Sequence, residues 1–210
     1  MNIDSCLQTA VSAAGLLSGH ETVADAVADE PIERLAHMLL FSEILPAFPE
    51  FWQGDAARAA LTKRGEEAYL RLTQPDHSAR LADLSAGLVG QFRTENLPVL
   101  LAAWQAGRLA DATVFTFTTL AFLCAHPVAG WQPGLGDPFQ AALAAPPARD
   151  ADGELDFEAV TAWLRAAIED AGFFPVHDDA WADRLAMEAA AAYLTLDAEG
   201  ITETLDWTVS

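Results

Sequence analysis

An all-α fold, a single-domain helical bundle of about seven to nine helices, is what this sequence predicts. Apolar residues recur at three- and four-residue steps along most of the chain. Asp, Asn and Pro stand where those stretches begin, and Gly or Pro where they end. Neither a hairpin signal such as Asn-Gly nor a repeat of fixed period interrupts the pattern.

Taken in order, a first helix is capped by Asp4 and runs to about residue 17. Pro31 sits where a first helical turn tolerates proline. Ile32, Leu35, Ala36, Leu39 and Leu40 then recur at helical steps until Pro46 and Pro49 stop the run. Asp55 caps a third helix, whose polar face carries Arg58, Lys63, Arg64, Glu66, Glu67 and Arg71. Asp76 or Ser78 opens a fourth, with Leu81, Leu84, Leu88 and Phe92 on one stripe. Asn96 and Pro98 read as the cap and first turn of another, with Leu100, Leu101 and Trp104 inward and Gly107 at its end.

Residues 112–125 are the most apolar stretch. Their Thr, Val and Phe side chains also suit a strand, but a buried central helix is the better reading. The run holds four threonines and is short of the ~20 apolar residues that a membrane span needs. Residues 127–155 form a Pro- and Gly-rich connection with a short helix after Asp137-Pro138, a candidate boundary or functional loop. Asp156 caps a helix that buries Val160, Trp163, Leu164, Ala167 and Ile168, ended by Gly172. Asp178 or Asp179 caps the last long helix, with Trp181, Leu185, Ala189, Ala192 and Tyr193 on one face; the tail after Asp197 adds one turn.

At 210 residues and 52% hydrophobic content the chain can fill one core, and 1–210 is read as one domain. Its net charge of -20 is unevenly spread. Residues 58–108 hold seven basic against five acidic groups, whereas 150–210 hold fifteen carboxylates against Arg165 and Arg184. Such a field repels nucleic acid phosphates and anionic lipid, and attracts basic proteins. Cys6 and Cys124 suggest no disulfide framework, and the first residues lack a basic start followed by an apolar stretch. Both features point to the cytoplasm.

The best cluster of reactive side chains is His177, Asp178, Asp179 and Asp183. On a helix Asp179 and Asp183 share a face, and with His177 they are candidate ligands for a divalent metal. The Asp-Asp-x-x-x-Asp string resembles the aspartate-rich motif of prenyl-diphosphate enzymes, which implies magnesium chemistry. The second acidic motif of that family is missing, and helix capping explains the aspartates more simply. Gln74-Pro75-Asp76-His77 resembles the Pro-Asp-His stretch of the helical chaperones that mature molybdoenzymes, over three residues and much earlier in the chain than in that family. Glu33 and His37 form an i, i+4 pair, read as a surface pair. There is no nucleophile elbow, no phosphate loop and no dinucleotide fingerprint, for which Gly-Leu-Gly at 134–136 does not suffice.

Charge without catalytic signature leads to the expectation of a non-enzymatic acidic protein-binding protein, in the manner of an immunity-like inhibitor of a basic toxin or nuclease. Its contact surface would be Asp150, Asp152, Glu154, Glu169, Asp170, Asp178, Asp179 and Asp183, with the loop residue Trp131 as an aromatic anchor. A metal-dependent enzyme using residues 177–183 and a helical chaperone or assembly factor are the alternatives. A basic protein partner is expected, with no cofactor, no direct nucleic acid contact and no membrane.

Overall fold

In the computed structural model the described residues are 1–74, 79–132, 134, 138–170, 172 and 179–208, with the backbone alone at 206 and 207. Among them are eleven helices and no strand; a lone antiparallel bridge joins Thr22 and Arg80. The all-α reading holds. Helix α1 is Ile3–Leu17 and α2 is Val23–Val27. Helix α3 begins as Glu30–Met38, widens into a π turn over Leu39–Ile44 and closes with Leu45–Ala47. A 3-10 turn, Pro49–Trp52, leads to α4, Asp55–Leu72. Helix α5 is Leu81–Ser85; α6 runs through Leu88–Gln91, a second π turn at Phe92–Asn96, and Leu97–Gln105. Then come α7 Asp111–Ala125, α8 Pro138–Leu143, α9 Phe157–Asp170, α10 Asp179–Glu199 and α11 Ile201–Thr208.

Helix α7 is the axis of the packing. It lies against α1, α8, α10 and α11, and twelve of its residues from Ala112 to Cys124 are buried. Its threonines can be buried because each hydroxyl has an acceptor, for three of them a local one. Thr116, Thr118 and Thr119 donate to the carbonyls of Ala112, Val114 and Phe115, one helical turn back. The buried apolar side chains form one cluster from Ile3 to Leu205. Helices α1 and α2 approach closely: a Cβ at Gly15 would lie 2.6 Å from the Ala26 Cβ.

Several expected boundaries moved, each for a local reason. Asn2, not Asp4, caps α1; its side chain accepts from the amides of Asp4 and Ser5. Pro46 does not stop α3. Proline removes one N–H and crowds the carbonyl four residues earlier. The π turn before Pro46 absorbs the crowding, and the orphaned Ser42 carbonyl accepts from Arg108 Nη1 at 3.2 Å. The same device precedes Pro98, so Asn96 lies inside α6 instead of opening a new helix. Asp156 does cap α9, accepting from the Ala159 amide at 2.8 Å. The tail forms the eight-residue α11, two turns instead of one.

Candidate functional site

Both π turns carry a glutamate in the same local sequence, Ser42-Glu43-Ile44-Leu45-Pro46 and Thr94-Glu95-Asn96-Leu97-Pro98. Each glutamate reaches the start of another helix. Glu43, 2% exposed, accepts from the Ala112 amide at 2.8 Å, the Thr113 amide at 2.9 Å and the Thr113 hydroxyl at 2.5 Å. It therefore caps α7, whose own cap residue Ala110 offers no side-chain acceptor. Burial pushes its carboxyl up to about 7, against the pull of those three donated hydrogen bonds. Glu95 serves α1 likewise: its Oε2 accepts from the Asn2 amide at 2.5 Å. The Cys6 thiol donates to the Glu95 carbonyl at 3.3 Å, and Asn96 Nδ2 donates to the Cys6 carbonyl at 3.2 Å. Burial, with Glu95 beside it, pushes the Cys6 thiol up to about 12.

π turns recur at functional sites, and the one at Phe92–Asn96 lies against the start of α1. On the other side of that start, α4 forms the wall of an open polar cleft of about 380 Å³. Met1, Asn2, Ile3, Asp4, Arg64, Glu67 and Arg71 line it. Arg71 and Asp4 pair across it at 2.7 Å. Lys63 and Glu67 pair loosely at 3.9 Å along α4. Helical spacing on α4 puts Arg64, Glu67 and Arg71 on one face. The cleft thus presents two guanidiniums, two carboxylates and an amide, an arrangement suited to a ligand rich in hydroxyls.

The acidic residues expected to form a contact surface are only partly brought together. Arg165 gathers Glu169 at 2.6 Å, Asp179 at 3.0 Å and Asp183 at 2.6 Å, joining α9 to α10. Those three carboxylates, expected to face a basic partner, are paired with Arg165 within the chain. Asp170 is exposed on α9. Asp150, Asp152 and Glu154 are all exposed, and Asp150 accepts from the amides of the other two. Trp131 is 7% exposed and packs into the core, so it is no surface anchor. His177 and Asp178 lie outside the described residues, as do Asp76 and His77. Among the described residues no group of His, Cys, Asp and Glu is placed to hold a metal ion. Glu33 accepts from the Tyr69 hydroxyl, and His37 stands edge-on to the same ring.

No family model matches the chain. Altronate oxidoreductase of Bacillus subtilis (strain 168) is 30% identical over 115 residues, which is 54% of this chain and 22% of that protein. In fold, 98% of the chain matches 39% of a mannitol 2-dehydrogenase from Pseudomonas fluorescens, solved with NAD and D-mannitol, at a TM-score of 0.67 and 16% identity. A D-sorbitol dehydrogenase matches over 97% of this chain and 40% of its own, with TM-score 0.67 and 13% identity. The chain therefore spans well under half the length of these proteins. All three are oxidoreductases, and this overturns the expectation of a non-enzymatic, immunity-like inhibitor.

Proposed function

We propose that this chain is the helical, substrate-holding part of an oxidoreductase acting on a polyhydroxylated small molecule, a polyol or sugar acid. The observation that carries this reading is the fold match over 98% of the chain to a mannitol dehydrogenase. An independent sequence similarity to altronate oxidoreductase supports it. The cleft beside α1 suits the role, because each hydroxyl of such a ligand both donates and accepts. Its volume of about 380 Å³ falls in the usual range for small-molecule sites.

A nicotinamide cofactor supplies or accepts hydride in such reactions. Its cradle is a parallel sheet with a Gly-rich turn opening a helix. The described residues do not fit that cradle: they form no sheet, and the chain lacks the fingerprint. We assign nucleotide binding to a companion unit, in the same polypeptide or another, and place the complex in the cytoplasm. Cys6 and Cys124 are both buried, which suits a reducing compartment. No helix among the described residues is long and apolar enough to cross a membrane.

Saturation-transfer NMR of the full chain against mannitol, sorbitol and altronate tests the reading. At least one should give ligand signal, and Glu67→Gln should reduce it. Silence from all three overturns the proposal.

A further inference from the structure

We infer that the cleft beside α1 recognises a carboxylate, so that its ligand is a sugar acid and not a neutral polyol. The inference rests on the proposed function and narrows its substrate class. The chain has 31 carboxylates and 11 Lys and Arg side chains. In so acidic a protein the cations are scarce, and most are taken. Arg71 is paired with Asp4, Arg149 with Asp197, Arg165 with three carboxylates and Arg184 with Glu188. Arg64 is an exception. It is exposed, it lines the cleft, and no described carboxylate pairs with it.

The geometry around Arg64 favours an anion. Arg71 stands seven residues further on, on the same face of α4, so two guanidiniums border one volume. Asp4, the nearest rival for a ligand's negative charge, is already neutralised by Arg71 through both Nε and Nη2, at 2.8 and 2.7 Å. Glu67 has Lys63 beside it. The Asp4 and Ser5 amides at the start of α1 are taken by the Asn2 side chain. Recognition falls to Arg64, whose planar fork matches a carboxylate with two parallel N–H bonds. A neutral polyol would leave that fork without a counter-charge. Asn2, Glu67 and the outer edge of Asp4 remain to read hydroxyls along the rest of such a ligand.

The test is calorimetric titration of the full chain with D-gluconate and with D-sorbitol, which share a six-carbon skeleton and differ at the carboxylate. Gluconate should bind at least tenfold tighter, and its affinity should fall as salt rises. Arg64→Gln should abolish that preference, bringing gluconate affinity down to that of sorbitol measured on the same variant, and Arg64→Lys should restore it in part. Arg64 is solvent-exposed, so these variants keep the fold. If sorbitol binds as tightly as gluconate, or Arg64→Gln leaves gluconate binding unchanged, the inference is overturned and the proposed function stands. If neither compound binds, the inference is overturned, and the proposed function is decided by mannitol and altronate.

Discussion

Glu43 shows how much one side chain can decide. It is a carboxylate almost without solvent, holding the first turn of the most buried helix. Truncation in Glu43→Ala would strand two amides and a hydroxyl and should cost ~2–4 kcal/mol of stability. The pH dependence follows from its carboxyl, raised to about 7 in the folded chain from an ordinary value of 4.5. Below the unfolded value the residue is protonated in both states and stability is unaffected. Between the two values the folded state binds the extra proton, so stability falls as pH rises and levels off above about 7. Asp111, also raised by burial, acts in the same direction. Denaturant unfolding of the parent and of Glu43→Gln between pH 4.5 and 8 should show a downward slope that the variant flattens. A parent whose stability rises across that window contradicts the assignment.

At the scale of elements, helix positions were legible wherever an apolar stripe and a side-chain cap coincided. Asp156 and the stripe of Val160, Leu164 and Ile168 gave α9 outright. What periodicity could not supply was any effect arising between elements. Pro46 and Pro98 read as boundaries because the local rule is that proline breaks helices; Arg108, 66 residues from Ser42 and 62 from Pro46, repairs the first break from outside the window. The recurrence of Ser/Thr-Glu-x-Leu-Pro at 42–46 and 94–98 was the available signal, and its spacing matched no known repeat. The cleft was half legible. The polar face of α4 with Arg64, Glu67 and Arg71 was visible in the sequence, but its partner across 67 residues, Asp4, was not. The acidic third misled for the same reason, since a charge count does not see Arg165 standing among Glu169, Asp179 and Asp183. Arg165→Met should therefore loosen α9 from α10. The three carboxylates are more than half exposed, so the cost should be small, about 1 kcal/mol at low salt, and should shrink in 0.5 M salt as their repulsion is screened. Thermal melts at two salt concentrations measure it; a loss that grows with salt would refute the clamp.

The whole molecule raises the question of what it does alone. Its fold fills 98% of the chain yet matches only 39% of a dehydrogenase solved with NAD. A dinucleotide is held by backbone amides at a strand-to-helix turn, with its pyrophosphate at the helix N-terminus. Three of the described helices are already served at their starts. Asn2 caps α1 and Asp156 caps α9 by side chain, and Glu43 closes the start of α7. The surface field is also hostile to a dianionic cofactor, because fifteen carboxylates face two arginines over residues 150–210. The proposed function therefore implies a division of labour, in which the chain would hold substrate and a companion the nucleotide. Ligand binding to a folded state raises stability by RT ln(1 + [L]/Kd), which is ~2.7 kcal/mol at a hundredfold excess over Kd and readily seen in a thermal melt. NADH added to the full chain should leave its Tm unchanged, and intrinsic tryptophan emission should transfer no energy to the dinucleotide. Six tryptophans make that readout sensitive. A rise in Tm with saturable energy transfer would show that the chain carries a nucleotide site of its own, and the division of labour would fail.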